Sequence, residues 1–213
     1  MSLADTVYEA ALRASQPLLS VASAFNEKVA RGVAGRRVAA ARLEEWARTT
    51  RDARRPLLWF HAPSVGEALM AQATIESARA QRPDAQVAFT FFSPSAERVA
   101  GRVGADVATY LPLDLATELA PTLDALRPSV IAFVRTEVWP VLAREAEKRQ
   151  VPLVLVNAAL GASSSRLRPL AKLLLRATYR RLAAVGAVGE EDARRFAELG
   201  VASNRVTVTG DAR

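Results

Sequence analysis

The chain has 213 residues, with 29 Lys and Arg against 22 Asp and Glu, one His and no Cys. That length can bury a full core, whereas the absence of Cys excludes a disulfide scaffold, a thiol nucleophile and a thiolate zinc site. A lone His excludes a multi-histidine metal centre, a half-apolar composition excludes a disordered chain, and a net charge of +7 calls for an anionic partner or surface.

The charge is uneven. Residues 1–55 hold ten basic and six acidic side chains, residues 166–181 hold six basic and none acidic, and the remainder is −3. From Val7 to Phe25 the chain is mostly apolar, but Glu9, Arg13, Gln16 and Pro17 interrupt it. It is too broken for a membrane span, and it lacks the basic start and cleavage site of a signal peptide. The pattern predicts an amphipathic helix running into Lys28, Arg31, Arg36 and Arg37. Such a helix either lies in a membrane interface or packs on the domain behind it. Residues 1–55 are therefore expected to form a basic, membrane-associating helical segment, and residues 56–213 a separate domain.

After Arg55, β-prone apolar runs alternate with helical stretches. Strands are predicted at Leu57–Phe60, Gln86–Phe92, Asp106–Tyr110, Val130–Val134, Leu153–Val156, Ala183–Val188 and Val206–Thr209. Helices are predicted at Glu67–Ala80, Ala96–Val103, Leu115–Leu126, Trp139–Arg149, Arg168–Arg181 and Glu190–Leu199. Continuously apolar strands are buried on both faces. The fold class expected is α/β, a doubly wound, mostly parallel, Rossmann-like sheet. A TIM barrel needs eight such units and is the weaker alternative. In the helix from Arg168, the residues Lys172, Arg176 and Arg180 stack on one face with leucines between them. That face is either simply solvated or in contact with anionic headgroups.

Ligands of an open α/β sheet bind outside the carboxyl ends of the strands. The first such loop runs from His61 to Glu67. Ser64 fits an N-cap there, which puts Glu67 in the first helical turn, where free N–H groups stabilise a carboxylate. The same spacing also reads as a capping box with no chemistry. Ser93 and Ser95 follow the second strand, as sugar or phosphate ligands or as helix caps. Glu137 and Trp139 follow the fourth strand; a carboxylate beside an aromatic suits a sugar, and a core Trp is the equal alternative. His61 at a strand end reads as structural, since there is no GxSxG for a triad. No GxGxxG and no P-loop lysine occurs. Aromatic residues are not interleaved with the basic clusters, which argues against nucleic acid.

Taken in order, these segments resemble the amino-terminal half of the 3-deoxy-D-manno-octulosonic acid (Kdo) transferases, which move Kdo from CMP-Kdo to lipid A in lipopolysaccharide assembly. Trp59 to Glu67 is similar to the family's W-x-H-x-x-S-V-G-E, and Thr136-Glu137-Val138-Trp139-Pro140 to its E-T-E-L-W-P. Ser93-Pro94-Ser95, Val156-Asn157-Ala158, Glu190 to Phe196 and Val206 to Gly210 match in sequence, as does the basic stretch Arg31 to Arg37 with Leu43 to Trp46. Two positions depart: Arg135 stands where the family has the first acid of its motif, and Ala159 where it has the Arg of N-A-R.

The resemblance implies the acceptor half of a two-domain GT-B glycosyltransferase that works by inversion, with Glu67 as general base. Acceptor contacts are implied for Ser64, Gly66, Ser93, Ser95, Arg135, Glu137 and Arg213. Lipid A precursor is the implied acceptor, with neither metal nor cofactor beyond the donor CMP-Kdo. Arg36, Arg37, Lys172, Arg176 and Arg180 then form a patch for phosphates at the cytoplasmic face of the bacterial inner membrane, where the protein sits peripherally or by its amino-terminal segment. The chain stops just after a strand, so the donor domain is expected to lie outside it, leaving a half that binds acceptor without transferring sugar. A non-catalytic domain for anionic lipid or sugar phosphate is the alternative.

Overall fold

The computed structural model describes residues 3–212. Three helices come first: α1 (Leu3–Phe25), α2 (Glu27–Arg37) and α3 (Ala39–Thr49). Then follow β1 (Leu57–Ala62), α4 (Val65–Gln81), β2 (Gln86–Phe91), α5 (Glu97–Ala100), β3 (Val107–Tyr110), α6 (Ala116–Leu126) and β4 (Val130–Val134). The chain continues through α7 (Pro140–Lys148), β5 (Leu153–Ala158), α8 (Pro169–Tyr179), β6 (Leu182–Ala187), α9 (Glu190–Glu198) and β7 (Val206–Val208). Every strand and helix expected after Arg55 is present, with ends displaced by a few residues.

The strands form one parallel sheet in the order β3-β2-β1-β4-β5-β6-β7. Successive side chains point to opposite faces, so Trp59 and Phe133 enter one apolar layer while Phe60, Ala132 and Val134 enter the other. α4 fills the second layer with Ala68, Ala71 and Ile75, all fully buried. The winding direction reverses between β1 and β4, which opens a crevice at their carboxyl ends.

The helices before residue 55 pack against the residues that follow it. Leu43 and Trp46 of α3 belong to the same buried cluster as Trp59 and Phe133. α2 is fastened to the sheet as well. Gly35 lies so close to the Tyr110 ring that a Cβ would sit 2.3 Å from it, and Arg31 pairs with Glu97 at 3.3 Å.

α1 divides into two halves. Its first part docks through polar groups: Asp5 takes Arg181 at 2.8 Å, Tyr8 bonds to Asp114, and Glu9 accepts from Arg144 at 2.8 Å and the Ala116 N–H at 3.1 Å. Its second part leaves Leu18, Val21 and Phe25 at 71%, 62% and 87% exposure. The packing alternative raised by the sequence thus holds for the first half of α1, while its second half presents an open apolar face.

Arg144 is the buried member of these ties, with its side chain 4% exposed between Glu9 and Glu145. Removing one partner of a buried ion pair strands the other charge. Arg144→Ala should destabilise the fold by about 3 kcal/mol, lowering Tm in a thermal melt by roughly 6–12 °C. Arg13→Ala, on the exposed side of the same Glu9, should change stability by less than about 0.5 kcal/mol.

Candidate functional site

The crevice between β1 and β4 collects the loops after β1, β2, β3 and β4. The backbone N-cap of α4 is Ser64, but its side chain makes no cap bond. Its hydroxyl donates instead to the Glu67 carboxylate at Oε2. The capping-box reading is thereby corrected: the serine holds the carboxylate and leaves the first-turn N–H groups without a capping side chain. Those groups favour an anion at this end of the helix. A Cβ on Gly66 would meet only Ser64 Oγ, at 3.9 Å, so the space above the turn is open.

The loop after β2 is clipped to the first one, with the Phe92 and Ser93 N–H groups donating to Pro63 O at 3.3 and 2.7 Å. Ser93 Oγ accepts from the Ser95 N–H at 3.3 Å and lies 2.9 Å from Ser95 Oγ. These hydroxyls cap a short turn, the second of the two roles expected for them, with Ser93 on the crevice rim.

The loop after β4 opens on Arg135, held in left-handed backbone conformation at φ 76°. Its N–H donates to Val156 O at 2.9 Å, and its carbonyl accepts from the Ala159 N–H at 3.1 Å. A non-glycine residue there costs on the order of 1–3 kcal/mol and persists only where its surroundings enforce it. The Arg135 guanidinium lies against Met70 Sδ, one turn beyond Glu67. Glu137 pairs with Arg166 at 3.5 Å. Arg213 lies outside the described residues.

A buried chain of hydrogen bonds locks the loops together. Trp139 Nε1–H donates to His61 Nε2 at 2.9 Å. The ring must then carry its proton on Nδ1, which donates to Thr90 Oγ1 at 3.1 Å. Thr90 Oγ1 also accepts from Trp59 Nε1 at 2.9 Å and donates to Phe60 O at 3.4 Å. Every side-chain polar atom of this hydrogen-bond network is thus matched. Burial pushes the His61 pKa down to about 3, so the ring is neutral at neutral pH. His61 is structural, as its place at a strand end suggested. Its partners Thr90 and Trp139 are what sequence reading missed.

Trp139 in turn packs on Phe92, with ring centroids 5.1 Å apart. The Arg36 guanidinium sits 3.8 Å over the Phe92 ring and donates to Phe92 O at 2.8 Å. These groups form part of the wall of a groove of about 510 Å³ between α1, α2 and the loops after β2, β3 and β4. Asp114 lies in the same wall, accepting from the N–H groups of Val141 and Leu142 at 3.0 and 2.8 Å. Burial raises its pKa to about 6. Neither Asp114 nor Tyr8 had any motif to mark it.

The basic patch does not survive as one surface. Arg36 is half-buried in the groove, with Arg37 on its rim. On α8, Lys172 pairs with Glu198 at 2.5 Å. The stems of Arg176 and Arg180 pack over Gly200, where a Cβ would lie 2.8 and 3.3 Å from them. The outward face of α8 is apolar instead, with Leu170 and Leu173 at 69% and 71% exposure. Among the described residues no three His, Asp or Glu side chains converge as metal ligands.

Residues 36–213 match the family model of 3-deoxy-D-manno-octulosonic-acid transferase. The chain is similar to the 3-deoxy-D-manno-octulosonic acid transferase of Haemophilus influenzae, 29% identical over 158 residues, covering 73% of this chain and 37% of that one. It is likewise similar to the enzyme of that name from Chlamydophila psittaci, 28% identical over 163 residues, covering 74% and 37%. The chain thus spans little more than a third of these relatives. Among solved structures it is similar in fold to a UDP-N-acetylglucosamine 2-epimerase, with TM-score 0.56 and 14% identity over 74% of this chain and 48% of that one. An S. aureus MnaA–UDP complex gives TM-score 0.55 and 14% identity over 74% and 45%.

His61→Phe should leave Trp139 Nε1–H and Thr90 without their partner, at a cost of about 2–4 kcal/mol. Denaturant unfolding measures the loss, and tryptophan emission should shift red as Trp139 loosens. An unchanged midpoint and spectrum would show that the network does not hold the loops.

Proposed function

The chain belongs to the 3-deoxy-D-manno-octulosonic-acid transferase family, a family of glycosyltransferases, and from that premise we propose that it receives the acceptor in such a transfer. The donor is CMP-Kdo, held by a second domain across the crevice. The acceptor is a hydroxyl of a lipid A precursor laid over the carboxyl ends of β1 and β4. The observation that carries this reading is the position of Glu67: the first turn of α4, at the switch point of the sheet, held by Ser64 beside the open space above Gly66.

Ser64 occupies one carboxylate oxygen, Oε2, and leaves Oε1 for the acceptor. Glu67 takes the acceptor proton as that oxygen forms its bond to the anomeric carbon. The bond from that carbon to the CMP phosphate breaks, its electron pair leaves with CMP, and the anomeric configuration inverts. A base must be ionised and within hydrogen-bond reach to do this, and the free first-turn N–H groups favour the ionised form. Arg135 puts a cation where the family's pattern has an acid, one helical turn from Glu67, and we assign it to an anionic group of the substrates. Ser64, Gly66, Ser93, Ser95 and Glu137 frame the acceptor around it.

No helix among the described residues is long and apolar enough to cross a membrane. The exposed apolar faces of α8 and of the end of α1 support peripheral contact with the cytoplasmic face of the inner membrane. This replaces the basic face of α8 as the contact.

Glu67→Gln, in the enzyme that carries both domains, should lower kcat by roughly 10²–10⁴-fold and leave acceptor binding nearly unchanged. Steady-state transfer from CMP-Kdo to a lipid A precursor measures the first, and equilibrium binding the second. Transfer at the parent rate would remove Glu67 from the chemistry and leave a lipid-binding domain.

A further inference from the structure

We infer that the groove between α1, α2 and the loops after β2 to β4 seats one acyl chain of an anionic lipid, with the phosphate of the same molecule at its mouth. Its volume of about 510 Å³ is that of a site enclosing a small ligand, about 300–1,000 Å³. The walls are apolar: Leu12 and Leu19 from α1, Val29 and Val33 from α2, and Phe92 and Trp139 from the loops. The acid in the wall, Asp114, is turned into backbone N–H groups. An apolar trough of this kind gains from every methylene it takes from water.

Charge decides between an anionic lipid and any other apolar occupant. Lys28, Arg36 and Arg37 border the groove. Arg31, on the same helix, is paired with Glu97, whereas Lys28 and Arg37 enter no ion pair among the described residues. Arg37, next to Arg36 at the end of α2 that meets Phe92, is the uncompensated cation placed for a phosphate at the crevice end, whereas Lys28 begins the same helix three residues after Phe25. The trough also runs in a consistent direction. One end is Trp139, bonded to His61 on the strand whose loop carries Glu67. The α1 wall leads on from Leu19 to the exposed Val21 and Phe25. A lipid seated this way has its headgroup toward the crevice and its tail toward the apolar end of α1. Much of this wall, including Leu12, Leu19, Val29 and Val33, precedes residue 36, where the family match begins. The inference deepens the acceptor reading and rests on it only for which lipid is bound.

The test uses octyl, decyl and dodecyl phosphate below their micelle concentrations, titrated calorimetrically into the chain, with inorganic phosphate as the tail-less control. Each added methylene should tighten binding about fourfold, and 2-bromododecyl phosphate, with its bromine beside the headgroup, should quench tryptophan emission in the parent but not in Trp139→Phe. Val33→Trp, which fills the trough, should weaken dodecyl phosphate by about tenfold or more while leaving inorganic phosphate unchanged. Leu12→Gln, on the surface helix α1, gives the same answer should Val33→Trp fail to fold. Arg37→Gln should weaken all alkyl phosphates several-fold without altering the dependence on tail length, and Lys28→Gln should weaken them less.

A flat chain-length series, equal binding of dodecyltrimethylammonium, or a loss produced by Leu173→Gln on α8 in place of Val33→Trp would overturn the inference. So would a dimer closed over the groove that alkyl phosphate fails to dissociate. The experiment involves no sugar transfer. A flat series with Glu67→Gln inactive sinks the groove alone; a steep series with Glu67→Gln fully active sinks the catalytic assignment alone.

Discussion

The carboxyl edge of this sheet depends on a histidine that must stay neutral. His61 accepts from one indole and donates to a threonine that accepts from another. With a proton on both ring nitrogens, the imidazole would point a donor at the Trp139 N–H. Complete burial prevents this by penalising the charged ring. The consequence is geometric. β1, β2 and the loop after β4 are bound through a single side chain, and His61 itself begins the segment that carries Glu67. A carboxylate that works by proximity needs such a rigid support, because small displacements of a reacting group cost rate steeply.

The amino-terminal helices extend that edge. α2 lies against Tyr110 through Gly35, and α1 is tied down by Asp5, Tyr8 and Glu9. The apolar groove between them and the strand-end loops is therefore built from parts held at both ends. Charge follows the same division. The buried pairs of α1 fix its docked half, while Lys28 and Arg37, outside any ion pair among the described residues, face the groove. The basicity of the chain thus lies in part along the groove and in part in packing, as at Arg144 and Arg181.

Much of this was legible in the sequence, for physical reasons. Strands buried on both faces have to be continuously apolar, so Val130–Val134 and Gln86–Phe91 announced themselves and with them the parallel sheet. Glu67 was legible because its strand, turn and helix start are contiguous. The His61 network was not, because Thr90 and Trp139 are 29 and 78 residues away and meet it only through strand register. On α8, periodicity separated leucines from cations but could not say which side docks. Glu198 and Gly200, supplied by a later element, take up Lys172 and the stems of Arg176 and Arg180, and leave the leucines exposed. The packing of α3 was not legible, because it reaches its layer through only two large side chains, Leu43 and Trp46, a signal too sparse to read.

Nitrogen-15 NMR of the imidazole tests this account most directly, since the chain has a single histidine. One pair of ring signals should appear, with Nδ1 protonated, Nε2 bare and no change between pH 8 and pH 5, because the pKa is held down to about 3. A ring protonated on Nε2, or one that titrates near the ordinary value of about 6.5, would contradict it: Trp139 would then have no acceptor, and the loops around Glu67 no common support.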